Sequence, residues 1–211
     1  EAVVNFLTNI GWSFGDDREV FTVEETIARF DLKRVNPAGS VFPIEKLDWL
    51  NGVYLREMSP QRLAELLKPV FEQAGYKADL DRLIRVVPLI QVRIKTLKDA
   101  IDMAGFLFTE HFVPAPPERL IQKKMDAAMT RAALERALAV LEALPDWRAE
   151  TQEAAMRALV EELGLKTGQL FGALRVATTA QEVSPPLFES MEVLGREESL
   201  ARIRLAIDSL S

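Results

Sequence analysis

Along most of this chain apolar residues recur at three- and four-residue spacing, in windows bounded by residues that start or stop helices. Ser59-Pro60 supplies an N-cap and a first-turn proline to "QRLAELLKPVFEQAG", which Gly75 closes. Thr22-Val-Glu-Glu25 reads as a capping box ahead of "EETIARF", and Asp79 as the cap of "LDRLIRVVPLI". Inside the latter, Pro88 removes a backbone donor and bends or ends the helix. Thr96-Leu-Lys-Asp99 is a second capping box opening a helix that ends near Gly105, so Arg93 and Lys95 fall at a helix-to-helix corner. "EKLDWLNGVYL" predicts a core helix ended by a turn at Gly52. The rigid "VPAPP" at 113–117 leads into one or two amphipathic helices from Glu118 to Leu144, broken by Pro145-Asp146. Thr151 then precedes "QEAAMRALVEEL", which closes at Gly164. Ser184-Pro185 opens "PLFESMEVL", Gly195 closes it, and "REESLARIRLAIDSL" is the last helix. Sustained strand alternation is absent, and the expected fold class is all-α. Texture changes near Ser59: the stretch before it carries Trp12, Trp49 and Tyr54 and reads as short elements.

At 211 residues the chain can bury a core without staples. It has no Cys and a single His, His111, which excludes disulfides and zinc sites of the thiolate or multi-histidine kind. No apolar run approaches the ~20 residues that cross a bilayer, and a soluble, cytoplasmic protein with no membrane partner is expected. Phosphate-cradling glycine loops, nucleophile elbows and histidine–carboxylate clusters are missing, so no catalytic and no metal-ligating residue is assigned. With no long apolar heptad seam, a monomer is expected.

Charge changes the picture more. The net charge is -6, yet Arg82 to Lys98 holds Arg82, Arg85, Arg93, Lys95 and Lys98 without one acid. Residues 163–180 are also acid-free and carry Lys166 and Arg175. Such windows suit a face kept clear for a polyanion. By composition alone the plainer reading, arginines that pair with the chain's own acidic helices, has the edge; a helical protein-interaction module whose basic corner meets an acidic partner is a further alternative. Ser184 is open in the same way: its helix start offers free N–H groups to a phosphate or base edge, or it is a plain cap.

Four blocks in one order carry a resemblance. "NFLTNIGWSFGDDREVFTVEETIARFDLKRV" with "VFPIEKLDWLNGVYLRE", then "RIKTLKDAIDMAGFLF", "GLKTGQLFGALRVATT" and "SPPLFESMEVLGRE", resemble the bacterial-type glutamyl-tRNA synthetases beyond their catalytic signature loop. The likeness implies a helical stem-contact remnant over 1–58. It further implies an α-helix cage for the anticodon, as subdomains over 59–124 and 125–211. It implies tRNA-Glu as partner and glutamate–tRNA ligation by a parent enzyme. ATP and magnesium would then belong to a catalytic domain with no counterpart here, so the chain holds no cofactor and is inactive alone. By positional matching, Arg93, Arg157, Arg175, Ser184, Pro185 and Leu187 fall at the anticodon, and Lys95, Lys98 and Lys166 beside the RNA backbone. The position of Arg93 is the one associated with refusing tRNA-Gln. A buried arginine, donor-only, suits the N3 and O2 acceptors of cytosine and not the N1–H and N2–H donors of guanine. A non-discriminating enzyme charging both tRNAs is the alternative within the same family.

Overall fold

The computed structural model describes residues 1–36 and 43–210, so Val41 and Phe42 of one matched block lie outside the described residues. Every regular element among them is helical, as the spacing predicts. The first region holds α1 (Ala2–Gly11), α2 (Val23–Arg29) and α3 (Ile44–Glu57), with α1 laid on α3. Trp12, Phe14 and Phe21 form a small aromatic core beside them, joined to α3 where the Tyr54 hydroxyl donates to the Phe21 carbonyl over 2.8 Å. The Thr22 capping box forms as expected.

Next come α4 (Pro60–Gln73), α5 (Leu80–Ile90) and the short α6 (Asp99–Ala104). Ser59 and Asp79 cap α4 and α5 through their side-chain oxygens, and Leu63, Leu67, Phe71, Leu83, Val87, Ile90 and Ile94 fill a core between them. A second core lies among α7 (Ala127–Glu142), α8 (Ala149–Glu162), α9 (Thr167–Thr179), α10 (Leu187–Leu194) and α11 (Arg196–Ser209). Leu194 of α10 packs into the first core, and Arg202 of α11, 1% exposed, ties the two together. Its guanidinium donates to the Thr178 carbonyl (2.8 Å) and the Phe106 carbonyl (3.1 Å), and pairs with Glu198 (2.7 Å).

Four expectations need correction. Helix α3 does not end at Gly52 but runs through it to Glu57. A helical glycine costs only about 1 kcal/mol relative to alanine, so it does not by itself end the helix. Between Glu118 and Leu144 only α7 is a helix of length. Residues 117–119 make one 3-10 turn, and Asp126 then caps α7 by accepting from the Met129 N–H. Helix α8 starts at Ala149, ahead of Thr151, where Glu192 accepts the Ala149 N–H over 2.7 Å. Ser184 is not an N-cap, and α10 begins at Leu187. Each residue before a proline is pushed toward extended backbone, so Pro185 and Pro186 hold 184 and 185 out of the helix.

Candidate nucleic-acid interface

Helix α5 stops two residues beyond Pro88, and residues 91–98 turn the chain into α6. This corner is held from three sides. From α3, Asn51 Nδ2 donates to the Lys95 carbonyl (2.5 Å). The Gln91 amide in turn donates to the Leu55 and Met58 carbonyls at the C-terminal end of α3, both at 2.8 Å. From α6, the Asp99 carboxylate accepts the N–H groups of Lys95 (2.8 Å) and Thr96 (2.9 Å) and the Thr96 hydroxyl (2.6 Å); these bonds fold the corner, but α6 begins only at Asp99 with Lys98 before it and no side-chain cap, so Thr96 is not the N-cap the sequence predicts. Partial burial opposes the charge of Asp99. The hydrogen bonds from Thr96 and Lys95, with the Lys95 charge, outweigh it and hold the carboxyl below its ordinary value.

On the third side stands the turn before α10. Arg93 Nη1 donates to the Ser184 carbonyl over 2.8 Å. One α9 side chain meets the same turn: Arg175 Nη1 donates to Ser184 Oγ (3.0 Å) and to the Pro185 carbonyl (3.2 Å). Burial, and after it the charge of Arg93, push the Arg175 guanidinium below its usual pKa, and an arginine keeps its proton regardless. Two cations therefore converge on one neutral turn with no ion pair to either among the described residues. The contrast with the surface elsewhere is plain: Arg131, Arg136, Arg157 and Arg204 each have a carboxylate partner.

Arg93, Lys95, Asp99, Asp102, Met103, Val183 and Ser184 line a cleft of about 460 Å³. Such a volume suits a small-ligand site. Arg93 is exposed at its edge rather than buried, because the corner lies on the surface; one of its five donors is spent on Ser184. Lys95 and Lys98 are exposed on the same corner. Ser184 and Pro185 are buried, and their carbonyls and the Ser184 hydroxyl already accept from arginine. Leu187 is 4% exposed and belongs to the second core, so it offers no face to a splayed base; its place in the first turn of α10 points it inward. Arg157 lies on α8, hydrogen-bonded to Glu153 at 2.8 Å and 5.7 Å from the Phe171 ring centre, with Phe171 one turn before Arg175.

Lys166 opens α9 in a separate cleft of about 480 Å³ with Lys123 and Lys124. Gln169 joins the two segments: its Oε1 accepts the Lys166 N–H (2.8 Å) and its Nε2 donates to the Lys123 carbonyl (3.2 Å). None of the three lysines is ion-paired among the described residues. Sequence reasoning missed Lys123 and Lys124 because Glu118 and Asp126 flank them and hide the pair from a search for acid-free windows.

The two packed cores of this all-helical body thus meet at a turn that takes two arginines, beside a surface cleft lined by Arg93 and Lys95. Residues 62–207 match the family described as "Anticodon binding domain", and the chain belongs to that family. The whole chain is 43% identical over 216 residues to a glutamate–tRNA ligase of Dehalococcoides mccartyi. It is 46% identical, over 98% of its length, to that of Acidothermus cellulolyticus. It spans less than half of these relatives, 44% and 42%. Among solved structures, a glutamate tRNA ligase from Elizabethkingia meningosepticum superposes with a TM-score of 0.88 at 26% identity, over all of this chain and 41% of that one. The glutamate–tRNA synthetase of Elizabethkingia anophelis gives 0.83 at 28%, over 99% and 40%. Among the described residues no helix is long and apolar enough to cross a membrane.

Proposed function

We propose that this chain grips the anticodon loop of a tRNA for a glutamate–tRNA ligase and reads the third anticodon base at Arg93, accepting the cytosine of tRNA-Glu and refusing the guanine of tRNA-Gln. The observation that carries the reading is the convergence of Arg93 and Arg175 on the Ser184 turn without a carboxylate between them. RNA is read where bases are splayed from a loop with their Watson–Crick edges free. An arginine fork held by a backbone carbonyl offers such an edge donors only, which fits the acceptors of cytosine and sets donor against donor with guanine. Lys95, Lys98 and Lys166 supply charge to the phosphates. Glutamate, ATP and magnesium belong, on this reading, to the part of the relatives' length that this chain does not span.

Binding to two anticodon stem-loops that differ only in C or G at the third position tests it, with the native chain beside Arg93→Gln. The expected preference for C is ~1–3 kcal/mol, the scale of one good bidentate base contact, and it collapses in the variant. Equal binding of both loops by the native chain removes Arg93 as discriminator and leaves a reader of both tRNAs. No binding at low salt returns the basic corner to an acidic protein partner.

A further inference from the structure

The arginine cleft holds a second charged group with nothing to do. Asp102 is exposed on α6, and its carboxylate has no hydrogen bond or ion pair among the described residues, whereas Asp99, one turn earlier, spends its oxygens on Lys95 and Thr96. Asp102 and Arg93 line the same cleft without forming an ion pair, so opposite charges face one space and do not quench each other. The position is fixed from the far side, where Gln181 Nε2 donates to the Asp102 carbonyl over 2.8 Å and ties α6 to the loop that carries Val183. Met103 and Val183, the latter 84% exposed, add apolar surface to the same cleft.

A donor-only group and an acceptor-only group lining one cleft describe one kind of ligand edge. The Watson–Crick edge of cytosine runs amine, N3, O2, which is donor, acceptor, acceptor. Guanine runs in the opposite sense, with O6 as acceptor and N1–H and N2–H as donors. Resting on the RNA reading above, we propose that Asp102 is a specificity-determining residue that accepts the 4-amino group of the cytosine whose N3 and O2 face Arg93. Guanine then meets two mismatches, its O6 against a carboxylate and its N–H groups against a guanidinium. Uracil meets the first of these as well, through its O4. A carboxylate in the first turn of α6 also complements the helix dipole, but that service is blind to a base amine.

A single-atom probe separates the two. Stem-loops carry at the third anticodon position either cytidine or the pyrimidin-2-one ribonucleoside, which lacks only the 4-amino group. The native chain should bind the cytidine loop about tenfold more tightly, and Asp102→Ala, which keeps a good helix former at an exposed site, should bind the two alike. Since removing an acid strengthens the binding of any polyanion, the ratio is the readout and not the affinity. Asp102→Ala that still penalises loss of the amine overturns the proposal. So does a native chain that prefers C to G yet ignores the amine, and in that case the Arg93 reading stands. A native chain indifferent to C and G removes both.

Discussion

The two cationic clefts at either end of α9 differ in how their charges are held. At the arginine cleft, the planar guanidinium groups of Arg93 and Arg175 are fixed by the carbonyls of one buried turn and its Ser184 hydroxyl. In the lysine cleft, the backbones of Lys123 and Lys166 are stapled by Gln169 while exposed ammonium groups swing on flexible stems. A fixed fork distinguishes one acceptor pattern from another; a mobile point charge follows any phosphate. The difference separates selectivity from adhesion within one helical body, and each can be removed without the other.

The largest effect is expected where the two cores are joined. Arg93 hangs from the first core and Ser184 from the second, so the arginine cleft exists only while both are docked, whereas Lys123, Lys124 and Lys166 all border the second. Arg202→Met removes the donors to the Thr178 and Phe106 carbonyls and leaves both buried without partners. Urea unfolding should show a loss of about 3 kcal/mol, from two orphaned acceptors at roughly 1–3 kcal/mol each, offset in part by the buried methionine. In folded variant the C-over-G preference should fall while the salt dependence of RNA binding stays.

The converse comes next in size. Changing Lys123, Lys124 and Lys166 together to Gln should lower the slope of log K against log salt by about 2, taking ~0.7 per single-strand phosphate contact. The C-over-G ratio should hold. A slope that does not change would mean that these amines meet no phosphate.

How much of this was legible in the sequence follows from the range of the forces involved. The caps at Thr22, Ser59 and Asp79 act within three residues, and they were readable because local chemistry decides them. Gly52 was misread because an Asn-Gly pair signals a turn locally, whereas α3 runs on through it to Glu57. Ser184 was misassigned because a serine before proline looks like a cap until a second proline and Arg175 claim it. The acid-free windows did locate Arg93 and Arg175, but nothing in the spacing says that they share a turn. Asp102 was invisible for the opposite reason, as an acid in a search for basic surface.

The smallest effect is the most local. Helix α3 precedes residues 62–207, the stretch that matches the anticodon-binding family, yet Asn51 and Gln91 fasten the corner to it two residues on either side of Arg93. Asn51→Asp keeps the shape and replaces a donor with a carboxylate that faces the Lys95 carbonyl. Gln91→Ala leaves the α3 carbonyls to water. Each should cost about 1 kcal/mol of the preference for C, the net worth of one hydrogen bond, through a shift in where the Arg93 fork points. The lysine cleft lies beyond the reach of either change, so the salt slope should be the native one. If both variants keep the full ratio in the paired stem-loop measurement, the Ser184 carbonyl alone aims Arg93, and the arginine cleft is specified from the second core rather than by α3.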